Sequence, residues 1–278
     1  MTTVQHPLNL ILPIKSWLQM KELEAVLHLK RRSIADSADQ IGTLHFARLF
    51  DFGENRLGFF TEYDGSFDDY MSDFLQYVAT VFNAIAKRSV DGPPTPIEKN
   101  VDIWKEWTAD RDLRGIGFYS AYPDRSVQDI RTSLGITKGS TAPEGQSPLA
   151  LAFPIKSPNH AEALSRLLTE SLPKLYAAAD AVETVHFARF VPIGTTAMVL
   201  IAEYDGELEK LMQGLAKQLG PLLDRILEHV QDAPPTPVEK NMQAFTDWVN
   251  DHNLRPWVFY AGYPTASAKK IRESAKPH

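Results

Sequence analysis

The stretch "TLHFARLF" at 43–50 returns at 184–191 as "TVHFARFV", with the same His, Phe, Ala and Arg. Moving outward, "PIKS" at 13–16 returns at 154–157 and "EYDG" at 62–65 returns at 203–206. "PPTP" at 93–96 returns at 234–237, followed each time by "EKN". Every pair lies 141 positions apart (186 minus 45, 203 minus 62), and Trp107/Trp248 and Pro123/Pro264 keep the same register. The chain is therefore a tandem duplication without gaps, covering roughly 7–132 and 148–273. A repeat of this length is a domain and not a solenoid unit. We expect repeat 1 at 1–134, repeat 2 at 148–278, and between them, at 135–147, the linker "GITKGSTAPEGQS", rich in Gly, Ser, Thr and Pro.

One repeat reads as follows. "LNLILPIK" (8–15) is a short apolar run and predicts a buried strand. Ser157 followed by Pro158 is a helix start, so a helix is expected over about 158–180, with its counterpart over 17–38. "TLHFARLFDF" and "RLGFFTEYD", separated by "GEN", predict a hairpin. Phe67, Tyr70, Met71, Phe74, Leu75, Val78, Phe82 and Ile85 form one helical stripe. Thr95, Pro96 and Glu98, and again Thr236, Pro237 and Glu239, have the spacing of a capping box opening a helix that carries Trp104 and Trp107. "GIGFYSAYP" (115–123) predicts a last strand, followed by a terminal helix.

The order β-α-β-β-α-(α)-β-α is that of a ferredoxin-like split βαβ unit with additions. Such a sheet carries helices on one face, yet these strands are apolar on both faces. The fold expected is α+β: two tandem ferredoxin-like repeats packed sheet to sheet as a pseudo-dimeric α/β barrel. By this order and duplication the chain resembles the dimeric α/β-barrel superfamily. That group includes small monooxygenases, chlorite dismutases and dye-decolorising peroxidases. "HFARF", "EYDG" and "FYSAYP" look like phrases of bacterial proteins near the peroxidase branch. The resemblance implies a small-molecule oxidoreductase of peroxidase or monooxygenase kind, with haem as the cofactor to test. The GxxDG motif of that branch is broken here, because Thr61 and Ala202 stand where its first Gly belongs.

Composition narrows the partners. A formal net charge of −6 argues against nucleic acid, and the absence of cysteine excludes disulfides and thiolate chemistry. No apolar run approaches the roughly 18 residues of a membrane span, and the start "MTTVQHPLNLILPIKSW" lacks a secretory pattern. A cytoplasmic protein is expected, with a small-molecule ligand and, for any oligomer, a further copy of itself.

Each candidate site residue has a functional and a structural reading. His45 and His186 are proton-transfer candidates or hydrogen-bonded core histidines. Arg48 and Arg189 would receive an anion, or else pair with Glu62 and Glu203 across the hairpin. Strand parity sets His45 and Arg48 on opposite faces unless a bulge intervenes. Asp64 and Asp205 read as turn or cap residues. Tyr63, Tyr119, Tyr122, Tyr204, Tyr260 and Tyr263 line a cavity or fill the core. A single specialised site would appear as a difference between the copies. His229, which stands opposite Arg88 near the end of a long helix, is the asymmetric candidate for an axial ligand. The alternative to an enzyme is a non-catalytic ligand-binding or assembly protein in which the repeated His, Arg and Glu are structural.

Overall fold

A computed structural model describes residues 4–275; the first three residues of the N-terminal stretch and the ends of both outer repeat boundaries lie outside them. The chain is an α+β protein of two ferredoxin-like repeats, with two four-stranded antiparallel sheets and nine α-helices among the described residues. In repeat 1 these are β1 (Gln5–Pro13), α1 (Trp17–Leu29), α2 (Arg31–Ile41), β2 (Leu44–Gly53), β3 (Arg56–Asp64), α3 (Phe67–Arg88), α4 (Val101–Ala109), β4 (Ile116–Ser120) and α5 (Val127–Leu134). Repeat 2 supplies β5 (Gln146–Pro154), α6 (Pro158–Val182), β6 (Val185–Ile193), β7 (Ala197–Asp205), α7 (Leu208–Leu227), α8 (Met242–His252), β8 (Val258–Ala261) and α9 (Ala268–Ser274).

The repeats exchange their last strands. One sheet has the order β1-β3-β2-β8 and the other β4-β6-β7-β5. Before β4, the chain touches its own first strand only briefly: Leu113 N donates to Asn9 O at 2.8 Å, and Asn9 N donates to the Asp112 carboxylate at 2.8 Å. It then leaves to pair with β6. Two compact units result. The first holds 1–113, 123–144 and 255–266; the second holds 114–122, 145–254 and 267–278.

In the first unit, Leu8, Leu10, Leu12, Leu49, Leu57 and Phe59 share one face of the sheet and pack on α1–α4. The stripe predicted on α3 is the helical side of that core, with Tyr70, Met71, Phe74, Val78, Phe82 and Ile85 all buried. The opposite face carries Phe46, Arg48, Phe50, Phe60 and Glu62, and these are buried as well. Phe50 stacks on Phe60 at 5.4 Å. Gly58, directly across from Phe50, leaves that ring its room: a Cβ there would lie 2.6 Å from it. The second unit repeats this plan with α6, α7 and α8 on its sheet.

Three expectations are corrected. The helix expected over 17–38 is two helices that meet at Lys30, while its counterpart α6 runs unbroken through Pro173; nothing in the structure explains why the break falls in repeat 1. The capping boxes are absent. Thr95–Pro96 and Thr236–Pro237 are cis, each proline is extended, and a 3₁₀ turn follows at Ile97–Lys99 and Val238–Lys240. The amides of Ile97 and Val238 donate to Asn83 Oδ1 and Asp224 Oδ1 from the preceding helices, and neither turn has a side-chain cap. Finally, strand parity does not separate His45 from Phe46 and Arg48, because a bulge lies between Leu44 and Phe46 and another between Val185 and Phe187.

Candidate functional site

The bulge at His45 sets the geometry. Tyr263 meets both the His45 ring (5.7 Å, edge-on) and the Phe46 ring (5.3 Å), so the two neighbours address one phenol. His45 Nε2 lies 2.8 Å from Asp64 Oδ1 and its Nδ1 lies 2.9 Å from the Tyr263 hydroxyl. With the carboxylate ionised, Nε2–H donates to Asp64 and the phenol donates to Nδ1, which gives every proton an acceptor. Asp64 Oδ2 accepts from Val127 N at 2.7 Å, the first amide of α5. Asp64 is thus a cap, as its sequence suggests, but of a distant helix. The second unit repeats the chain: Tyr122 hydroxyl to His186 Nδ1 at 2.7 Å, His186 Nε2 to Asp205 Oδ1 at 2.9 Å, and Ala268 N to Asp205 Oδ2 at 2.8 Å. In each, histidine and aspartate come from one repeat and tyrosine from the other. Both imidazoles are fully buried. An open cleft reaches Asp205 from solvent but stops short of His186. These chains tie the exchanged segment to the sheet.

Arg48 and Glu62 are diagonal neighbours on the same sheet face, with Arg48 Nη2 3.3 Å from both carboxylate oxygens and both side chains sealed from solvent. Arg189 and Glu203 hold the same diagonal positions and are equally buried.

A second duplicated cluster escaped sequence reasoning. Tyr119 donates to Asp180 at 2.8 Å, and Arg272 donates to both, while its Nε reaches Ala121 O. In the first unit Tyr260, Asp39 and Arg131 do the same, with Arg131 Nε on Gly262 O. The 141-residue register contains this signal, since all three residue types recur in it, but the members lie too far apart in sequence to suggest contact. Burial pushes the Tyr119 phenol well above its ordinary range, so it stays neutral.

The units differ in the space between sheet and helices. Between the sheet and helices of the second unit lies a cavity of about 100 Å³; its counterpart in the first is about 30 Å³. Register explains the difference. Phe59, Tyr70, Phe74 and Phe82 of repeat 1 correspond to Leu200, Leu211, Leu215 and Leu223, and Trp104 to Phe245. Leu12, Leu49 and Ala35 become Phe153, Phe190 and Tyr176, which return part of the space from the sheet and from α6. Val258 corresponds to Gly117, where a Cβ would lie 2.4 Å from Leu172.

His229 does not line this chamber. Its Nδ1 lies 2.9 Å from His160 Nδ1, an asymmetric pair that replaces Gln19 and Arg88. Burial first, and His160 second, lower its pKa below the ordinary 6.5. A porphyrin does not fit here: the chamber is well under the ~300–1,000 Å³ of pockets for drug-sized ligands, and the proposed axial histidine faces another histidine.

No family model matches the chain, and no curated protein matches it. Among solved structures it is similar to a proposed monooxygenase of Fusobacterium nucleatum subsp. nucleatum (8% identity, TM-score 0.41, covering 94% of this chain and 96% of that one). It is also similar to an anthrone oxidase-like protein (8%, 0.31, 93% and 90%). A third is a chlorite dismutase variant of Candidatus Nitrospira defluvii (12%, 0.29, 99% and 97%). Likenesses this distant carry no functional weight for the chain. No helix among the described residues is long and apolar enough to cross a membrane.

Proposed function

We propose that the protein binds a small molecule in the chamber of its second unit, with the first unit retained as a closed copy and the duplicated His, Arg and Glu as frame. The supporting observation is the pair of cavities: one backbone plan, about 100 Å³ in one copy against 30 Å³ in the other, where Phe59, Tyr70, Phe74 and Phe82 give way to leucines and are only partly offset by Phe153, Phe190 and Tyr176. Random drift in a packed core favours compensating volume changes, since each unfilled space costs stability. Here the compensation is incomplete, and the replacing leucines all line the same cavity.

Xenon tests this reading, because it enters dry apolar cavities of this order. Xenon under pressure should occupy the second unit next to Leu215 and Leu223 and leave the first unit empty. Failure to enter the second unit would sink the reading.

An oxidoreductase acting on that same ligand is the second reading. What favours it is the Tyr119 phenol in the chamber wall, held by Asp180 and Arg272. Once a ligand is in hand, ligand-dependent consumption of dioxygen or peroxide that is lost in Tyr119→Phe separates this reading from simple binding.

A further inference from the structure

We infer that the molecule bound in the second unit is a neutral, single-ring compound that takes the place of the chain's own phenyl groups in the first unit. This rests on the reading of the chamber as the ligand site, and it adds the ligand's chemical class.

The first unit shows what this space accepts. Phe74 and Phe82 meet edge to face with centroids 4.5 Å apart; Phe59 and Phe82 do so at 5.0 Å, and Phe82 meets Trp104 at 5.5 Å. Those distances belong to the favoured range for aromatic pairs. Phe82 is the hub of the cluster. In the second unit its position and two of its ring neighbours are leucines, and the fourth is the smaller Phe245. The backbone plan that accommodates a ring hub therefore persists without the ring.

Size limits the occupant. A cavity of about 100 Å³ is smaller than the ~150 Å³ engineered cavity known to hold benzene. One ring, entering with slight displacement of leucine side chains, fills it; two fused rings do not. Aromatic walls remain to receive it. Phe153 and Phe190 stand 6.4 Å apart, and Tyr119 and Tyr176 stand 5.7 Å apart.

Charge limits the occupant further. The lining is nearly all apolar, and the phenol of Tyr119 is committed to Asp180 and Arg272. Arg189, the one charged residue of the wall, alternates with Ala188 and Phe190 and so turns its side chain to the other face of the sheet, the face that carries Glu203. An ionised ligand would arrive without a countercharge, at a cost that a site this small does not return.

The experiment uses the full chain with benzene, cyclohexane, n-hexane, benzoate and xenon as probes, followed by thermal unfolding and by methyl NMR of the leucines. Benzene is expected to raise Tm and to shift the Leu200, Leu215 and Leu223 methyl signals. Leu215→Phe/Leu223→Phe, which restores repeat-1 residues, should weaken benzene at least tenfold while keeping the fold. Leu200→Phe serves as a second variant should the double variant not fold. Binding of xenon or n-hexane without either ring compound overturns the single-ring assignment and leaves the chamber reading standing. Benzoate binding as tightly as benzene overturns neutrality. Undiminished benzene binding in the folded variants overturns the location. If no probe enters, xenon included, the chamber reading itself falls.

Discussion

His45 Nδ1 sits 2.9 Å from the hydroxyl of Tyr263, a residue 218 positions later in the chain. Tyr122 and His186 make the same contact at 2.7 Å with the order of the repeats reversed. Each bond is thus a clasp that holds the segment following an exchanged strand against a sheet built mostly from the other repeat. Tyr263→Phe keeps the ring and removes the clasp, leaving Nδ1 buried without its donor. A destabilisation of about 1–3 kcal/mol is expected, the usual cost of an unmet buried group. Urea titration checks it, and xenon uptake in the second unit should be unchanged. A loss of uptake with stability intact would reassign the clasp to function.

The Arg48–Glu62 pair yields a prediction that separates frame from catalyst. Both side chains are sealed from solvent. Removing one partner strands the other charge, so Glu62→Leu and Arg48→Met should each cost about 3–5 kcal/mol. Arg48→Met/Glu62→Leu together should cost much less than the sum, because neither charge is left behind. Strict additivity in that double-mutant cycle would contradict the pairing.

The sequence carries the architecture because the duplication samples it twice. Strand positions, the α3 stripe and the Ser157–Pro158 helix start are local patterns, and local patterns survive in one dimension. Other features depend on where strands go once they leave a repeat. Nothing in "GIGFYSAYP" distinguishes a strand that closes on its own sheet from one that pairs with β6. The bulge at His45 is likewise invisible in sequence, although it cancels the parity rule that would set His45 apart from Arg48. Five side chains shortened between the copies stand in register along the sequence, but only three-dimensional contact gathers them around one cavity.

The first unit should open when it is given the leucines of the second. Phe82→Leu copies the repeat-2 residue into the cavity of about 30 Å³. At about 24 cal/mol per Å³ of added void, a loss on the order of 1 kcal/mol is expected. The variant should also begin to admit xenon beside Phe59 and Phe74. If the first unit stays closed to xenon after Phe82→Leu and Phe74→Leu together, the leucine replacements do not account for the chamber.

The His160–His229 pair gives the last prediction, and its sign follows from charge. Burial, and then His160, hold the His229 pKa below 6.5; Lys156 and Arg225 act in the same direction and Glu228 opposes them. The folded chain therefore binds a proton at His229 less readily than the unfolded chain does. Stability linked to this group is fully present above about pH 6.5 and is lost as pH falls through the depressed folded-state value. His229→Gln removes that dependence. The difference in Tm between wild type and variant, followed from pH 8 to pH 5, should be flat at the alkaline end and shift in favour of the variant as the solution becomes acidic. A difference that grows toward alkaline pH would reverse the assignment and make the pair one that prefers its proton.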